Sequence, residues 1–470
     1  MPVETPNTLA QTIAHELNEN VYLCYQCVKC TSGCPLADEF DLAPNQVMRA
    51  LQLGEDDRVL HSKTIWLCAS CQTCLTRCPQ NIDLPRINDQ LSMEAKKRGV
   101  KSAAPEIGLF RQVFLRNARI LGRAYELGLI LEMNLRTRQP FKDVPMGLQM
   151  VLKRKVSIFP HFARPPKRAK PAAQKENRIA YYPGCSLHSL SSELDHSTKA
   201  VFAELDVELY EPKGWTCCGS SPAHSSDHLL ATTMPMKNLA LIEQSGFREA
   251  VAPCTACYAR FKTAQYDVSK DPELKKQVDD KIGYTYQNQV VVKSLLDVFD
   301  ERVGLDAIAR RVRKPLKDLK VASYYGCLLT RPPKVTHSDH PEYPMQMDRV
   351  VEKLGATPID WSFKTECCGG SLSLTRTDIV LNLTRKIIDN ARAVGADIIT
   401  TSCPLCHVNL DTRQAALKLE QPMPVLFITQ LMGLAFGLEP HALAVDKHMV
   451  DARQATGLQR FWKVGAHKSF

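Results

Sequence analysis

The sequence predicts a mixed fold: a small, mainly α, cysteine-rich domain over residues 1–100, a helical connector over 101–178, and two α/β domains over 179–318 and 319–470. Three observations carry this expectation. Two copies of one cysteine–proline run stand in the first hundred residues, residues 101–178 contain no cysteine, and 179–470 reads as a tandem repeat of alternating strand-like and helix-like segments. Such alternation is the pattern of mostly parallel sheets covered by helices.

Taken in order, the two N-terminal runs are separated by a short insert whose segment Asn45–Leu53 has helical periodicity. The connector continues as an Arg-rich amphipathic helix through FRQVFLRNARILGRAYELGLILEMNL. It finishes in a basic stretch, Lys153 to Arg178, with nine Lys or Arg against one acid and the prolines Pro165, Pro166 and Pro171. That stretch reads as a solvated linker, with docking to an acidic partner or an anionic membrane surface as the second reading. Each C-terminal copy opens on a β-like run into a cysteine, Arg178-IAYYPG-Cys185 and Lys320-VASYYG-Cys327. A helical stretch and a second strand then lead to Cys-Cys-Gly, and a helix and a further strand lead to C-x-x-C, with equivalent cysteines 142 to 150 residues apart.

At 470 residues and 44% hydrophobic, the chain is long enough for two or three domains with ordinary cores. Its N-terminus, MPVETPNTLAQTIAHELNEN, lacks a basic region followed by an apolar one, so the expected location is cytoplasmic, where cysteines stay reduced. No apolar run reaches the roughly 18 residues of a transmembrane helix. The net charge of +10 is concentrated in the connector and comes without a zinc-finger or aromatic RNA-binding signature, so nucleic acid is not an expected partner.

The first run is Cys24-x-x-Cys27-x-x-Cys30-x-x-x-Cys34-Pro35 and the second is Cys68-x-x-Cys71-x-x-Cys74-x-x-x-Cys78-Pro79. Each matches the bacterial ferredoxin spacing, in which three close thiolates bind one cube and the fourth crosses to the cube of the other run. One cubane [4Fe–4S] cluster is therefore assigned to Cys24, Cys27, Cys30 and Cys78, and a second to Cys34, Cys68, Cys71 and Cys74. Zinc needs four cysteines per site and would leave the duplicated runs with their following prolines without a reason.

The repeats differ in kind. Cys185, Cys217, Cys218, Cys254 and Cys257 form one set and Cys327, Cys367, Cys368, Cys403 and Cys406 the other. Five thiolates are one too many for an ordinary cube, and adjacent cysteines on an extended chain point apart, which suits a larger, less compact cluster. The glycine after each pair permits close backbone approach or a positive φ.

These repeats resemble the CCG domains of the B-type subunit of heterodisulfide reductase, and the N-terminal domain resembles its C-type ferredoxin subunit. The supporting stretches are YYPGCSLHS, KVASYYGCLLTRPP, LGATPIDWSFKTECCGG, SCPLCHVNLDTRQ and PVLFITQLMGLAFGL. The resemblance implies a noncubane [4Fe–4S] cluster on each five-cysteine set, the two facing one another around a disulfide-binding cavity. It implies a catalytic subunit that reduces a disulfide or related protein-bound sulfur substrate, or forms a disulfide from thiols in reverse. A flavoprotein of the A type or a membrane cytochrome b is the implied redox partner, through which the chain could sit on the cytoplasmic membrane face. Both repeats keep all five cysteines, although Cys218-Gly219-Ser220 lacks the second glycine of Cys368-Gly369-Gly370.

Four other residues stand near the cysteines. His188 and His407 read equally as proton donors to a thiolate product and as hydrogen-bond partners of the cluster region. Arg331 and Lys334 read as solvated loop charges, with a grip on an anionic substrate as the alternative. Two further functions compete: an electron-transfer subunit of a flavin-dependent glycolate, lactate or glycerol-3-phosphate dehydrogenase, and a structural zinc scaffold.

Overall fold

The computed structural model describes residues 8–164, 166, 171–172 and 175–462. Helices dominate the first hundred residues. Leu9–Leu17 starts on a capping box in which Thr8 Oγ1 accepts from Gln11 N at 3.3 Å, and its buried Leu9 and Ile13 join Val47, Leu51, Ile65 and Leu91 in one core. The expected helix is Pro44–Leu53, ended by Gly54 at φ 72°. The two cysteine runs fold alike: the residues flanking the second cysteine of each, Gln26 and Val28, then Ser70 and Gln72, all take positive φ. Val28, a β-branched residue at φ 64°, accepts a conformation its side chain disfavours. The same core continues into Leu372, Ile379, Val380 and Leu383, so this domain packs on the helix Thr377–Ala393 of the second repeat.

The connector is not one continuous helix. Pro105–Leu121 stops at Gly122, φ 79°, where a Cβ would collide with the carbonyl oxygen of Ala163, and the chain restarts as Glu126–Arg136 and Val144–Leu152. Gly122 also fixes the connector to the first repeat, since its carbonyl accepts from Cys217 N at 2.8 Å. The basic stretch after the third connector helix is likewise not wholly solvated. Lys155 is fully buried, bonded to Glu193 and 3.7 Å from Asp411, so it ties the connector to both repeats. A run rich in Lys and Arg conceals such a residue, because only its distant carboxylates distinguish it from solvated neighbours. Residues 165, 167–170 and 173–174 of the expected linker lie outside the described residues.

Each repeat is a four-stranded, all-parallel sheet. The first contains β1 (Arg178–Tyr181), β2 (Glu208–Tyr210), β3 (Glu249–Val251) and β4 (Val291–Lys293) in the order β2-β1-β3-β4. The second contains β5 (Lys320–Tyr324), β6 (Thr357–Ile359), β7 (Ile398–Thr401) and β8 (Val425–Phe427) in the matching order β6-β5-β7-β8. Register is equivalent too, Ala180 opposite Ala250 and Ala322 opposite Ile399. In the second repeat β7 and β8 are buried throughout, as parallel strands covered on both faces must be. Among the described residues, no helix is long and apolar enough to cross a membrane.

Candidate metal centres

The carboxyl ends of the central strands deliver the cysteines of each repeat. Cys185 follows β1 and Cys254 follows β3, while Cys327 and Cys403 follow β5 and β7, so separate segments converge at one edge of each sheet. This is the edge where open parallel sheets gather functional groups. Tyr182 and Tyr324, each three residues before the first cysteine of its repeat, pin the Cys-Cys segments. Their phenols donate at 2.6 Å to the carbonyls of Thr216 and Glu366, the residues preceding Cys217 and Cys367.

In the first repeat Cys217 contacts Cys185 and Cys218, Cys257 contacts Cys254, and Cys218 Sγ lies 3.3 Å from Cys257 Sγ. The second repeat reproduces this, with Cys367 on Cys327, Cys403 on Cys406, and Cys368 Sγ 3.5 Å from Cys406 Sγ. All eighteen cysteines are free of disulfides. Backbone donors point at the sulfurs: Gly219 N to Cys217 at 3.4 Å, Gly369 N to Cys367 at 3.3 Å, and Ala124 N of the connector to Cys185 at 3.3 Å. Hydrogen bonds of that kind favour thiolates. A Cβ at Gly184 or Gly326 would stand 2.9 Å from Cys257 Sγ or Cys406 Sγ, so only glycine leaves the sulfurs room.

The N-terminal thiols group across the two runs. Cys24, Cys27, Cys30 and Cys78 surround one small cavity, whose wall Cys74 completes, while Cys34 lies against Cys68, Cys71 and Cys74. Burial raises the Cys68 thiol to about 12 and, with its neighbours Cys68, Cys71 and Cys34, holds Cys74 well above the usual range. Thiolates packed this closely repel one another unless a cation compensates them, which is the chemistry of a metal-loaded site. The residues present therefore fit iron–sulfur clusters at all four groups, and the five-thiol sets exceed what zinc requires.

The domains meet at these centres. Cys71 and Cys367 lie side by side, and this neighbour, with Thr73 and Arg331 nearby, pulls Cys71 below the usual thiol range. Arg331 is 2% exposed and donates to Thr73 Oγ1 at 2.7 Å and to Thr365 O at 3.0 Å, so it is not a solvated loop charge. Lys334 stays half-exposed, 3.6 Å from Asp83. His407 turns away from the thiols: it stacks on Phe427, and its Nε2 donates to Val425 O at 3.0 Å. His188 packs edge-on against Trp215, whose ring also carries the Arg123 guanidinium 3.6 Å from its centroid.

A cavity of about 180 Å³ is lined by all five cysteines of the first repeat. Phe110, Phe114, Leu129, Ile130, Met146 and Met150 of the connector form its apolar wall, and Gly370, Leu405 and Asn409 of the second repeat close the far side. None of the second set of cysteines lines it, so the two sets are not equivalent in access. Ser220, which replaces a second glycine, stands at the cavity wall. Glu126 also reaches this wall; burial raises its carboxyl, although Leu190 N, Ser189 and Ser186 bond to it. Glu126 and Arg123 were not distinguishable in the sequence, since no motif surrounds them and their partners lie far along the chain, and Thr73, within the second cysteine run, gave no sign of its distant partner Arg331.

Comparison with known proteins gives concordant matches. The cysteine-rich CCG domain matches residues 179–262 and 321–411, and the 4Fe-4S dicluster domain matches residues 23–83. The chain is similar to the 8-methylmenaquinol:fumarate reductase membrane anchor subunit of Wolinella succinogenes, 32% identical over 286 residues, covering 59% of this chain and 98% of the relative. It is 28% identical over 283 residues to the B-type subunit of the ferredoxin/F(420)H(2)-dependent CoB-CoM heterodisulfide reductase of Methanosarcina acetivorans, covering 58% of this chain and 94% of the relative. Its N-terminal part is 34% identical over 92 residues to the C-type iron-sulfur subunit of the CoB–CoM heterodisulfide reductase of Methanopyrus kandleri, covering 19% of this chain and 48% of the relative.

A dicluster domain joined to two five-cysteine α/β repeats defines an iron–sulfur electron-transfer protein. The chain belongs to the heterodisulfide-reductase-like family of such proteins, as a single-chain fusion of C-type and B-type parts.

Proposed function

We propose that this chain is the sulfur-handling subunit of a heterodisulfide-reductase-like complex, with functional units at 1–100, 101–178, 179–318 and 319–470. Two cubane clusters would be held by Cys24, Cys27, Cys30 and Cys78 and by Cys34, Cys68, Cys71 and Cys74, and two noncubane clusters by the five-cysteine sets. Those clusters would supply one-electron carriers and, at the cavity, iron able to bond a sulfur atom. Splitting a disulfide takes two electrons, so two complete five-cysteine sets beside each other suit the reaction in either direction.

The observation that carries the proposal is the order of the thiol groups. Cys71 of the N-terminal domain touches Cys367 of the second set, and the first set opens on the cavity. The cavity's apolar wall limits water at the sulfurs, and Glu126, whose carboxyl burial raises, stands at that wall where a departing thiolate could draw on a proton donor. A flavoprotein or membrane cytochrome b is the proposed electron source.

A second reading, electron transfer to a flavin-dependent dehydrogenase without sulfur chemistry, is favoured by the match to the fumarate reductase anchor. One titration separates the two. Full-length protein prepared without air is mixed with thiols and disulfides while its electron paramagnetic resonance spectrum is followed. A new or shifted cluster signal supports sulfur chemistry, whereas an unchanged spectrum with every candidate leaves only the electron-transfer function.

A further inference from the structure

We infer that the connector forms a membrane-binding face that rests on an anionic lipid surface. Eleven of the 21 exposed large hydrophobic side chains described fall between residues 120 and 162, a concentration of apolar surface on this one segment. On the second connector helix Leu131 and Leu135 stand four residues apart on one exposed face. On the third, Val144, Leu148 and Leu152 repeat that spacing, Leu152 being 75% exposed. The following segment adds Phe159, 77% exposed, with Ile158 and Phe162 beside it.

These helices are apolar on two sides. Their inner faces, through Leu129, Ile130, Met146 and Met150, line the cavity of the first five-cysteine set. Core formation therefore accounts for the inner stripe only, and the outer stripe needs another apolar phase. The accompanying charge selects that phase. Every exposed Asp, Glu, Lys or Arg from residue 116 to residue 164 is an arginine: Arg116, Arg119, Arg136, Arg138, Arg154 and Arg164. The acids of the segment are withdrawn, Glu132 against Arg116 and Arg136, Asp143 against Arg413, and Glu126 in the cavity wall. An apolar stripe at helical spacing, in a segment whose exposed Asp, Glu, Lys and Arg are all arginine, is the chemistry of a helix lying in the interface of an anionic bilayer. No spanning segment is required, in keeping with the absence of a sufficiently long apolar helix among the described residues. The inference is independent of the disulfide reading, because it concerns the opposite face of the connector.

The test is flotation of the full-length, iron-loaded protein with protein-free vesicles of phosphatidylcholine alone or with about one-third phosphatidylglycerol. The protein should float with the anionic vesicles and bind neutral ones at least about tenfold more weakly, and added salt should weaken the anionic binding by screening the arginines. The triple variant Leu148→Asp, Leu152→Asp, Phe159→Asp, with unchanged iron content and circular dichroism, should lose anionic-vesicle binding by about tenfold or more. A wild-type protein that binds no vesicle, or binds irrespective of lipid charge, would overturn the inference. So would capture only by a membrane protein, or self-association that buries the stripe and leaves vesicles untouched.

Discussion

Arg331 of the second repeat donates from Nη1 to Thr73 Oγ1 of the N-terminal domain at 2.7 Å, and Thr73 Oγ1 lies 3.4 Å from Cys71 Sγ. A buried guanidinium thus spans the junction at which the two halves bring Cys71 and Cys367 together. Its second arm holds Thr365, two residues before Cys367, through Nη2 at 2.8 Å.

Replacing Arg331 by Ala should destabilise the protein by roughly 2–4 kcal/mol, because Thr73 and Thr365 lose buried charge-assisted bonds. The more specific consequence is kinetic. Reduction of the C-terminal centres through the N-terminal domain should slow in rapid-mixing experiments, while direct chemical reduction of each centre should not. Arg331→Lys should recover only part of the loss, since an ammonium cannot present the planar fork that meets Thr73 and Thr365 together.

Gly184 and Gly326 have φ of 75° and 68° and leave no space for a Cβ beside Cys257 and Cys406. Substituting Ala at either should remove about a quarter of the iron, roughly four atoms of about sixteen, from the affected repeat. Iron and acid-labile sulfide analysis with the electron paramagnetic resonance spectrum should show the other repeat intact. Equal loss from both repeats would mean that the substitution unfolds the shared core.

The crossed grouping of the N-terminal cysteines predicts an exchange of phenotypes. Cys34→Ser should disturb the centre of Cys68, Cys71 and Cys74, and Cys78→Ser that of Cys24, Cys27 and Cys30. Redox titration of each variant checks this, because each should shift one midpoint potential and leave the second in place.

A pH dependence follows from the buried polar group behind the second repeat. Burial, reinforced by Lys155, holds His448 well below its ordinary value, with Nε2 donating to Gln430 Oε1 at 2.9 Å. The unfolded chain therefore takes up this proton first, and the stability due to neutral His448 is present above about pH 6.5 and lost as pH falls below it. The expected slope is about 1.4 kcal/mol per pH unit for this side chain. Asp411, raised by burial, works in the opposite sense as pH rises above its usual carboxylate value. Denaturant unfolding between about pH 7.5 and 5.5 should show the fall in wild type and a shallower one in His448→Gln.

Much of this architecture was legible in the sequence because cysteine spacing is a strong local signal. The duplicated runs and the tandem repeats needed no knowledge of distant partners. The fourth strands, β4 and β8, were not read as sheet members, since three-residue apolar runs such as Val425–Phe427 merge with the helix that follows. The connector looked continuous because its hydrophobic spacing carries across Gly122, and only the close approach of Ala163 shows why it breaks there. Lys155 and Arg331 looked solvated for the same reason that His407 looked functional. Each is defined by partners far away along the chain: Glu193, Thr73 and the Phe427 ring.

The most direct measurement is metal and sulfide content of the full-length protein isolated without air, repeated for Cys217→Ser and Cys367→Ser. About sixteen irons with matching sulfide, and a separate loss of one C-terminal centre in each variant, are expected if both five-thiol sets hold four-iron clusters. Zinc in place of iron at either set, or an iron content that neither substitution changes, would contradict it.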